Sequence, residues 1–224
     1  MSQQELALSV DLDGAIGALK RDLVVEGGPR ISTIRTYNFA ILPYPPDQEF
    51  KLRAKIHTLA SELVSDGWEV RSIALQKLLF DRLQAEGPEF IETLIATEKR
   101  HHAKAVALTG NAADPEPDVA LNYLTSHIGE LIEGPGGIAA DIAREIDNLC
   151  EQHPDKEHRT VVFIGRAGAL YPFFRTSALL RHLDGHTRNV PVVLLYPGAR
   201  TDVTALSFMG VLQPDRDYRP RIYP

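Results

Sequence analysis

The 224-residue sequence lacks several features that define whole classes of protein. It contains a single cysteine, Cys150, which excludes an internal disulfide framework and a cysteine-rich zinc site. It has no apolar run near the roughly 20 residues that a membrane-spanning helix needs, so we expect no membrane association. Its first residues show neither the basic segment nor the long apolar segment of a secretory signal. With 44% hydrophobic and 24% charged residues, the composition is typical of a cytoplasmic globular protein.

The motifs of nucleotide hydrolysis and serine catalysis are also missing. A P-loop has the pattern GxxxxGK[ST], in which the lysine reaches the phosphates, yet no lysine occurs from Arg159 to the end of the chain. Neither the dinucleotide pattern GxGxxG nor the nucleophile elbow GxSxG is present. His182 and His186 are four residues apart, but Gly185 indicates that the helix ends before the second histidine. The sequence therefore predicts no catalytic residue, no cofactor and no metal.

Charge is unevenly distributed along the chain, although the net charge is only −6. From Arg159 onward there are nine arginines and four aspartates with neither lysine nor glutamate, so this segment carries +5 and residues 1–158 carry −11. Guanidinium groups suit bidentate contacts with carboxylates and phosphates. The segment therefore faces an anion or an acidic partner, or else its arginines pair with the acidic part of the same chain. Because the total is acidic, we expect direct nucleic-acid binding to be weak or absent.

Apolar runs alternate with helical patterns along the chain. Continuous apolar strands that are joined by helices favour a mostly parallel sheet with helices on both faces. This is a three-layer α/β fold, P-loop-like or Rossmann-like without the phosphate-binding motif. We predict a single α/β domain over residues 1–224 with a helical insertion at approximately 85–155. The predicted strands are 38–44, 68–73, 160–165 and 190–196, with an edge strand near the C-terminus, and the predicted helices are 3–25, 46–65, 75–84, 88–108, 119–132, 138–151 and 172–183.

The helix predicted over 46–65 begins with a proline, which suits a first helical position. Acidic residues in its first turn suit the positive end of the helix dipole. Its apolar residues predict one inward-facing stripe. That stripe comprises Phe50, Ile56, Leu59, Leu63 and Val64.

Three segments directly follow predicted strands: YPP at 44–46, GRAGALYP at 165–172 and YPGA at 196–199. The carboxyl ends of parallel strands lie at one edge of a sheet, so we expect these segments to form one contiguous face. Tyrosine and arginine are enriched at the centres of protein interfaces. The tyrosines fit either a contact surface or the margin of the core. The candidate contact residues are Tyr44, Pro45, Pro46, Arg166, Tyr171, Arg175, Tyr196 and Arg200.

In their order, the apolar and strand-end segments resemble the BrxB family of bacterial BREX phage-defence systems. The matching blocks are FAILPYPPDQEFKLR, GRAGALYPFFRTSALLRHL, VPVVLLYPGA and LSFMGVLQPDRDYRPRIY. The resemblance covers most of the chain, with little signature from about 85 to 155. It implies a cytosolic component of a multi-gene system that also contains a methyltransferase, a large ATPase and an alkaline-phosphatase-like PglZ protein. It offers no catalytic residues that can be carried over.

Two functions remain open at this point. The resemblance implies a non-enzymatic assembly or adaptor subunit that contacts a PglZ-like protein, with other BREX components as further candidate partners. The alternative is a nucleotide- or phosphate-binding regulatory protein or enzyme that uses the 165–177 loop, because amides at a helix N-terminus can bind an anion. Direct DNA contact by the arginine-rich end is a third, weaker interpretation.

Overall fold

A computed structural model describes residues 11–31, 38–109, 122–174, 176–200, 206–209 and 220–223. The first half of the chain contains α1 (Leu12–Leu23), β1 (Phe39–Tyr44), α2 (Glu49–Ser65), β2 (Glu69–Ala74), α3 (Leu75–Ala85) and α4 (Pro88–Thr109). The second half contains α5 (Asn122–Ile132), α6 (Ile138–Gln152), β3 (Thr160–Gly165), α7 (Thr176–Leu183), β4 (Val192–Arg200), β5 (Leu206–Phe208) and β6 (Arg221–Ile222). Short 3₁₀ helices occur at Pro46–Gln48, Pro154–Arg159 and Ala167–Leu170.

The strands form a mostly parallel sheet in the order β2-β3-β4-β1-β6. β1 and β4 pair in parallel over six residue pairs from Phe39↔Val192 to Tyr44↔Pro197. β5 is the exception, because it pairs antiparallel with the end of β4. The α/β fold with a mostly parallel sheet is therefore confirmed.

Helices cover both faces of the sheet, and the alternation of side chains along the strands separates two cores. Ala40 and Leu42 of β1 pack with residues of α1 and α2 on one face. Phe39 and Ile41 of the same strand pack with residues of α3, α5, α6 and α7 on the other face. Successive side chains of a strand point to opposite faces, so a strand that is buried on both faces reads as a continuous apolar run.

Most predicted elements are present, with two shifts. The strand predicted over 190–196 continues to Arg200, because its end pairs with β5. The helix predicted over 172–183 begins only at Thr176, because residues 167–170 form a 3₁₀ helix and the Phe173 amide then donates to the Leu170 carbonyl. The first helix is described only as Leu12–Leu23, and residues 3–10 of its predicted range lie outside the described residues.

Helix α2 buries a different stripe from the one that the sequence predicts. Its buried residues are Leu52, Ile56, Leu59 and Leu63. Phe50 is 78% exposed and Val64 is 56% exposed. The prediction is wrong for these two residues, because at 100° per residue they fall outside the face that Leu52 and Ile56 define.

The described residues between β2 and β3 are mostly helical, and α6 buries Ile142 and Ile146 against the sheet. Helix α4 packs beside α5, where the rings of His101 and Tyr123 stack at 5.4 Å between centroids. Within the described segments, no helix has both the length and the apolar character needed to cross a bilayer. The domain limits of 1–224 and 85–155 stay predictions.

Arg82 fixes the turn that precedes α6. Its Nε donates to Asp141 at 2.6 Å, and its Nη atoms donate to the carbonyls of Leu131, Gly136 and Gly137 at 2.7–2.9 Å. One planar guanidinium thus joins α3, the end of α5 and the start of α6.

Replacing Arg82 with alanine is expected to lower the free energy of unfolding by about 2 kcal/mol, because three carbonyls lose this donor and the largely shielded Asp141 carboxylate loses the closer of its two arginines. The matched control is Arg144→Ala, which removes an exposed arginine 3.2 Å from the same Asp141. That exposed pair is expected to contribute less than about 1 kcal/mol. Urea denaturation of both variants checks the difference, and equal losses would show that the carbonyl contacts of Arg82 contribute nothing.

Candidate functional site

The carboxyl ends of β3, β4 and β1 lie side by side, because these three strands are neighbours in the sheet. The segment after β3 is joined to the start of α2 by an ion pair between Arg166 Nη1 and Glu49 Oε1 at 3.6 Å. The same segment contacts the end of β4, since a Cβ placed on Gly168 would lie 3.3 Å from Pro197. Structure thus brings together the three segments that sequence reasoning selected.

A chain of polar contacts crosses this edge of the sheet. The Tyr44 hydroxyl donates to Glu49, and burial together with this bond raises the pKa of Tyr44, so the hydroxyl stays protonated as a donor. Arg166 lies on the other side of Glu49 and donates from Nη2 to Gln76 Oε1 at 3.1 Å. Its backbone is left-handed, with φ of 65°, which sets the direction in which its guanidinium leaves β3. The contacts connect β1, α2, α3 and the end of β3.

Two of the candidate contact tyrosines are buried, so the expectation that they present a surface is wrong. Tyr44 lies under the first turn of α2, where Glu49 accepts its hydroxyl. Tyr196 lies under β5: its hydroxyl donates to the Leu206 carbonyl at 3.3 Å, and its ring meets Phe208 edge-on at 5.4 Å. Both side chains belong to the hydrophobic cores and lie near the carboxyl edge of the sheet.

The other candidate residues differ in their accessibility. Tyr171 is 36% exposed and lies 6.3 Å from the Phe208 ring, centroid to centroid. Pro46 and Arg200 are exposed, Arg166 is about one-third exposed, and Pro45 is half-buried. Arg175 lies outside the described residues. Sequence reasoning therefore assigned to the surface two residues, Tyr44 and Tyr196, that are buried at this edge.

Three backbone amides of the loop after β3 donate within the loop itself. A phosphate site at a helix N-terminus needs free backbone amides that point at the anion. Here the amides of Ala169, Tyr171 and Phe173 donate to the carbonyls of Arg166, Gly168 and Leu170 at 2.8–3.2 Å. These amides are therefore occupied by the loop itself.

A groove of about 630 Å³ lies between α2 and the carboxyl ends of β2 and β3. Ala60 of α2 and Ala74 of β2 contribute partly exposed apolar surface to it, above the buried side chains of Phe163 and Leu195. Phe50 and Arg53 line it from α2, and Arg166 lines it from the loop after β3.

Sequence reasoning missed the groove because it assigned Phe50 to the core. The helical period carried the signal: Leu52, Ile56, Leu59 and Leu63 recur at spacings of four and three residues, whereas Phe50 precedes the first of them by only two. Two residues correspond to about 200° around a helix, which places Phe50 on the opposite side.

Fold and site together define a mostly parallel α/β protein without a P-loop, in which the segment after β3 carries the partly exposed side chains of Arg166 and Tyr171. The family model of BREX protein BrxB matches residues 71–222. Since the match spans more than half of the chain, the chain belongs to the BrxB family and is a component of a BREX phage-defence system. The resemblance that the sequence blocks indicated is therefore confirmed.

A relative supports the same assignment. The BREX protein BrxB of Bacillus cereus (strain H3081.97) is 22% identical over 190 residues, which cover 81% of this chain and 80% of the relative. No solved structure matches the chain significantly. The match to the family model begins at Arg71, so it includes the segments after β3 and β4 but not the segment around Tyr44.

Proposed function

We propose that this protein is a non-enzymatic assembly or adaptor subunit of its BREX system and that it contacts a PglZ-like protein of that system. The observation that carries the proposal is a set of exposed or partly exposed aromatic and arginine side chains in the segments that begin where β1 and β3 end. We call Pro46, Phe50, Arg166 and Tyr171 the carboxyl-edge face. Large aromatic side chains and arginine are the residue types that dominate binding energy at protein interfaces.

Local rigidity supports a contact role for this face. Arg166 is held by Glu49 and Gln76, so little side-chain freedom remains to be lost on binding. The ring of Tyr171 lies beside the ring of Phe208. The next residue, Met209, is held to the end of β4, because its amide donates to the Pro197 carbonyl at 2.7 Å. The face is therefore preorganised on the sheet.

A non-enzymatic role is supported by the sequence and by the loop after β3. The sequence has neither a P-loop nor a nucleophile elbow. In the loop that the phosphate-binding alternative requires, the amides of Ala169, Tyr171 and Phe173 donate to carbonyls of the loop itself. A cytoplasmic location stays a prediction.

The test is a paired substitution, Arg166→Ala with Tyr171→Ala, in the full-length protein. Binding to the PglZ-like protein of the same system, measured by titration calorimetry, is expected to weaken by about 2 kcal/mol or more, as for interface anchors of these types. Circular dichroism and thermal unfolding establish that the variant is folded. Tyr171→Ala alone serves as the milder variant, because it leaves the Arg166 contacts intact.

The matched control is Ile95→Ala with Arg100→Ala, which removes an exposed apolar side chain and an exposed arginine from α4. It is expected to bind the PglZ-like protein as the unmodified protein does. A folded Arg166/Tyr171 variant with undiminished affinity would remove the carboxyl-edge face from the interface. If the unmodified protein does not bind the PglZ-like protein at all, the proposed contact is wrong.

A further inference from the structure

The groove beside α2 runs along an edge strand. β2 pairs with β3, and in the described part of the chain no strand pairs with its other side. Arg71 and Ser72 of β2 are exposed, whereas their register partners Val162 and Phe163 on β3 are buried. The outer edge of such a strand presents backbone N–H and C=O groups to which another strand can pair.

The surface next to this edge is largely apolar. Ala74 of β2 and Ala60 of α2 line the groove and are partly exposed, and Phe50 projects from α2 with 78% of its surface exposed. An exposed phenylalanine beside an apolar groove is typical of a binding site for an apolar side chain.

The charges at the groove favour an acidic occupant. Its lining contains two arginines, Arg53 and Arg166, and one carboxylate, Glu49. Glu49 already accepts the Tyr44 hydroxyl and pairs with Arg166. Arg53 is exposed and forms no salt bridge with any described residue. A carboxylate of a partner can therefore pair with Arg53 at the α2 side of the groove without displacing an existing ion pair.

We infer that this groove binds an extended segment of the partner protein, rich in apolar and acidic side chains, which adds to the sheet as a strand along β2. The inference rests on the proposed adaptor function. In an extended segment alternate side chains point to opposite faces, so apolar residues reach the groove while the backbone pairs with β2. Arg53 then selects segments that carry carboxylates. Backbone pairing gives affinity, and the groove and Arg53 give specificity.

The first experiment uses the full-length PglZ-like protein as the probe and compares three variants of the full chain. Arg53→Glu reverses a charge in the groove, and Phe50→Ala removes its exposed aromatic side chain. Each is expected to weaken binding about tenfold or more. Lys51→Glu makes the same change in charge at an exposed position of α2 outside the groove, and it is expected to leave the affinity nearly unchanged.

The second experiment does not depend on the PglZ-like protein. Two short synthetic peptides, one alternating valine with glutamate and one alternating valine with lysine, are titrated against the unmodified protein and Arg53→Glu. The glutamate peptide is expected to bind the unmodified protein, and hydrogen exchange of the β2 amides at 69–74 is expected to slow when it binds. The lysine peptide is expected to bind measurably only to Arg53→Glu.

The outcomes separate the two proposals. If the PglZ-like protein binds Arg53→Glu and Phe50→Ala as tightly as the unmodified protein, the groove is not its docking site, while the adaptor function stands. If that protein binds no form of the chain but the glutamate peptide protects β2, the groove assignment stands and the named partner is wrong. Binding without protection of β2, as a docked helix would give, overturns the added strand.

Discussion

Leu63→Ala is expected to lower the free energy of unfolding by about 3 kcal/mol, within the usual range of about 2–5 kcal/mol for truncating a buried leucine. Leu63 lies on α2 and is 0% exposed. It belongs to the core that α1 and α2 form with one face of the sheet, next to Phe163 and Leu195 among others. The loss combines the apolar surface returned to water with the cavity left behind. Urea denaturation monitored by circular dichroism measures it.

Val64→Ala is the matched control, because Val64 is the next residue of the same helix and is 56% exposed. Its effect is expected to stay within about 0.5 kcal/mol, since an exposed valine buries little surface and alanine has the higher helix propensity. Comparable losses at both positions would contradict the orientation of α2 described here. Such a result would instead support the inward-facing stripe predicted from the sequence, which includes both Leu63 and Val64.

Gly198→Ala is expected to cost about 2–3 kcal/mol, at the upper end of the range for inserting a methyl group where there is no space. Gly198 lies opposite Phe208 in the β4–β5 pair. A Cβ at this position would lie 2.1 Å from the Ser207 carbonyl oxygen and 2.7 Å from Cε1 of Tyr196. The Ser207 carbonyl oxygen belongs to the backbone, so the steric clash can be relieved only if β5 moves away from β4. Thermal and urea unfolding give the size of the effect.

The control for this substitution is Gly129→Ala, within helix α5, where a Cβ would meet no atom within 4 Å. This change is expected to stabilise the protein by about 0.5–1 kcal/mol, because alanine loses less backbone entropy than glycine in a helix. If Gly198→Ala is as stable as the unmodified protein, β5 does not pack against β4 as described. In that case β5 does not shield Tyr196, and soluble acrylamide is expected to quench the fluorescence of Tyr196 more readily than it quenches that of a buried tyrosine.

The alternation of elements was predictable because each element is encoded locally. TVVFIG predicts a strand over 160–165, and the structure has β3 at Thr160–Gly165. Asp66 and Gly67 predict the end of α2, and there Gly67 has φ of +85°, which glycine adopts without strain. The carboxyl edge followed from the same reasoning, because parallel strands end on one side.

Accessibility of individual side chains at that edge was not predictable from local pattern. Tyr44 and Tyr196 end apolar runs, and in sequence they fit either a contact surface or the margin of the core. In the structure Glu49 and Leu206, five and ten positions later, accept their hydroxyls and cover them. Conversely, Phe50 is expected in the core because its side chain is large and apolar. It is exposed, because the helical period places it on the side of α2 opposite the buried leucines. These positions depend on how α2 and β5 return over the strand ends.

The sequence by itself determined the class of fold, the positions of the elements and the edge at which the strand-end segments meet, because hydrophobic period and turn residues act within a few positions. Only the tertiary structure decided the strand order β2-β3-β4-β1-β6. That order leaves β2 at an edge, places Arg166 beside Glu49 and opens the groove in front of Phe50. The reason is physical: apolar strands of similar composition can pair in several orders, and the choice among them rests on packing between residues that are far apart in the chain.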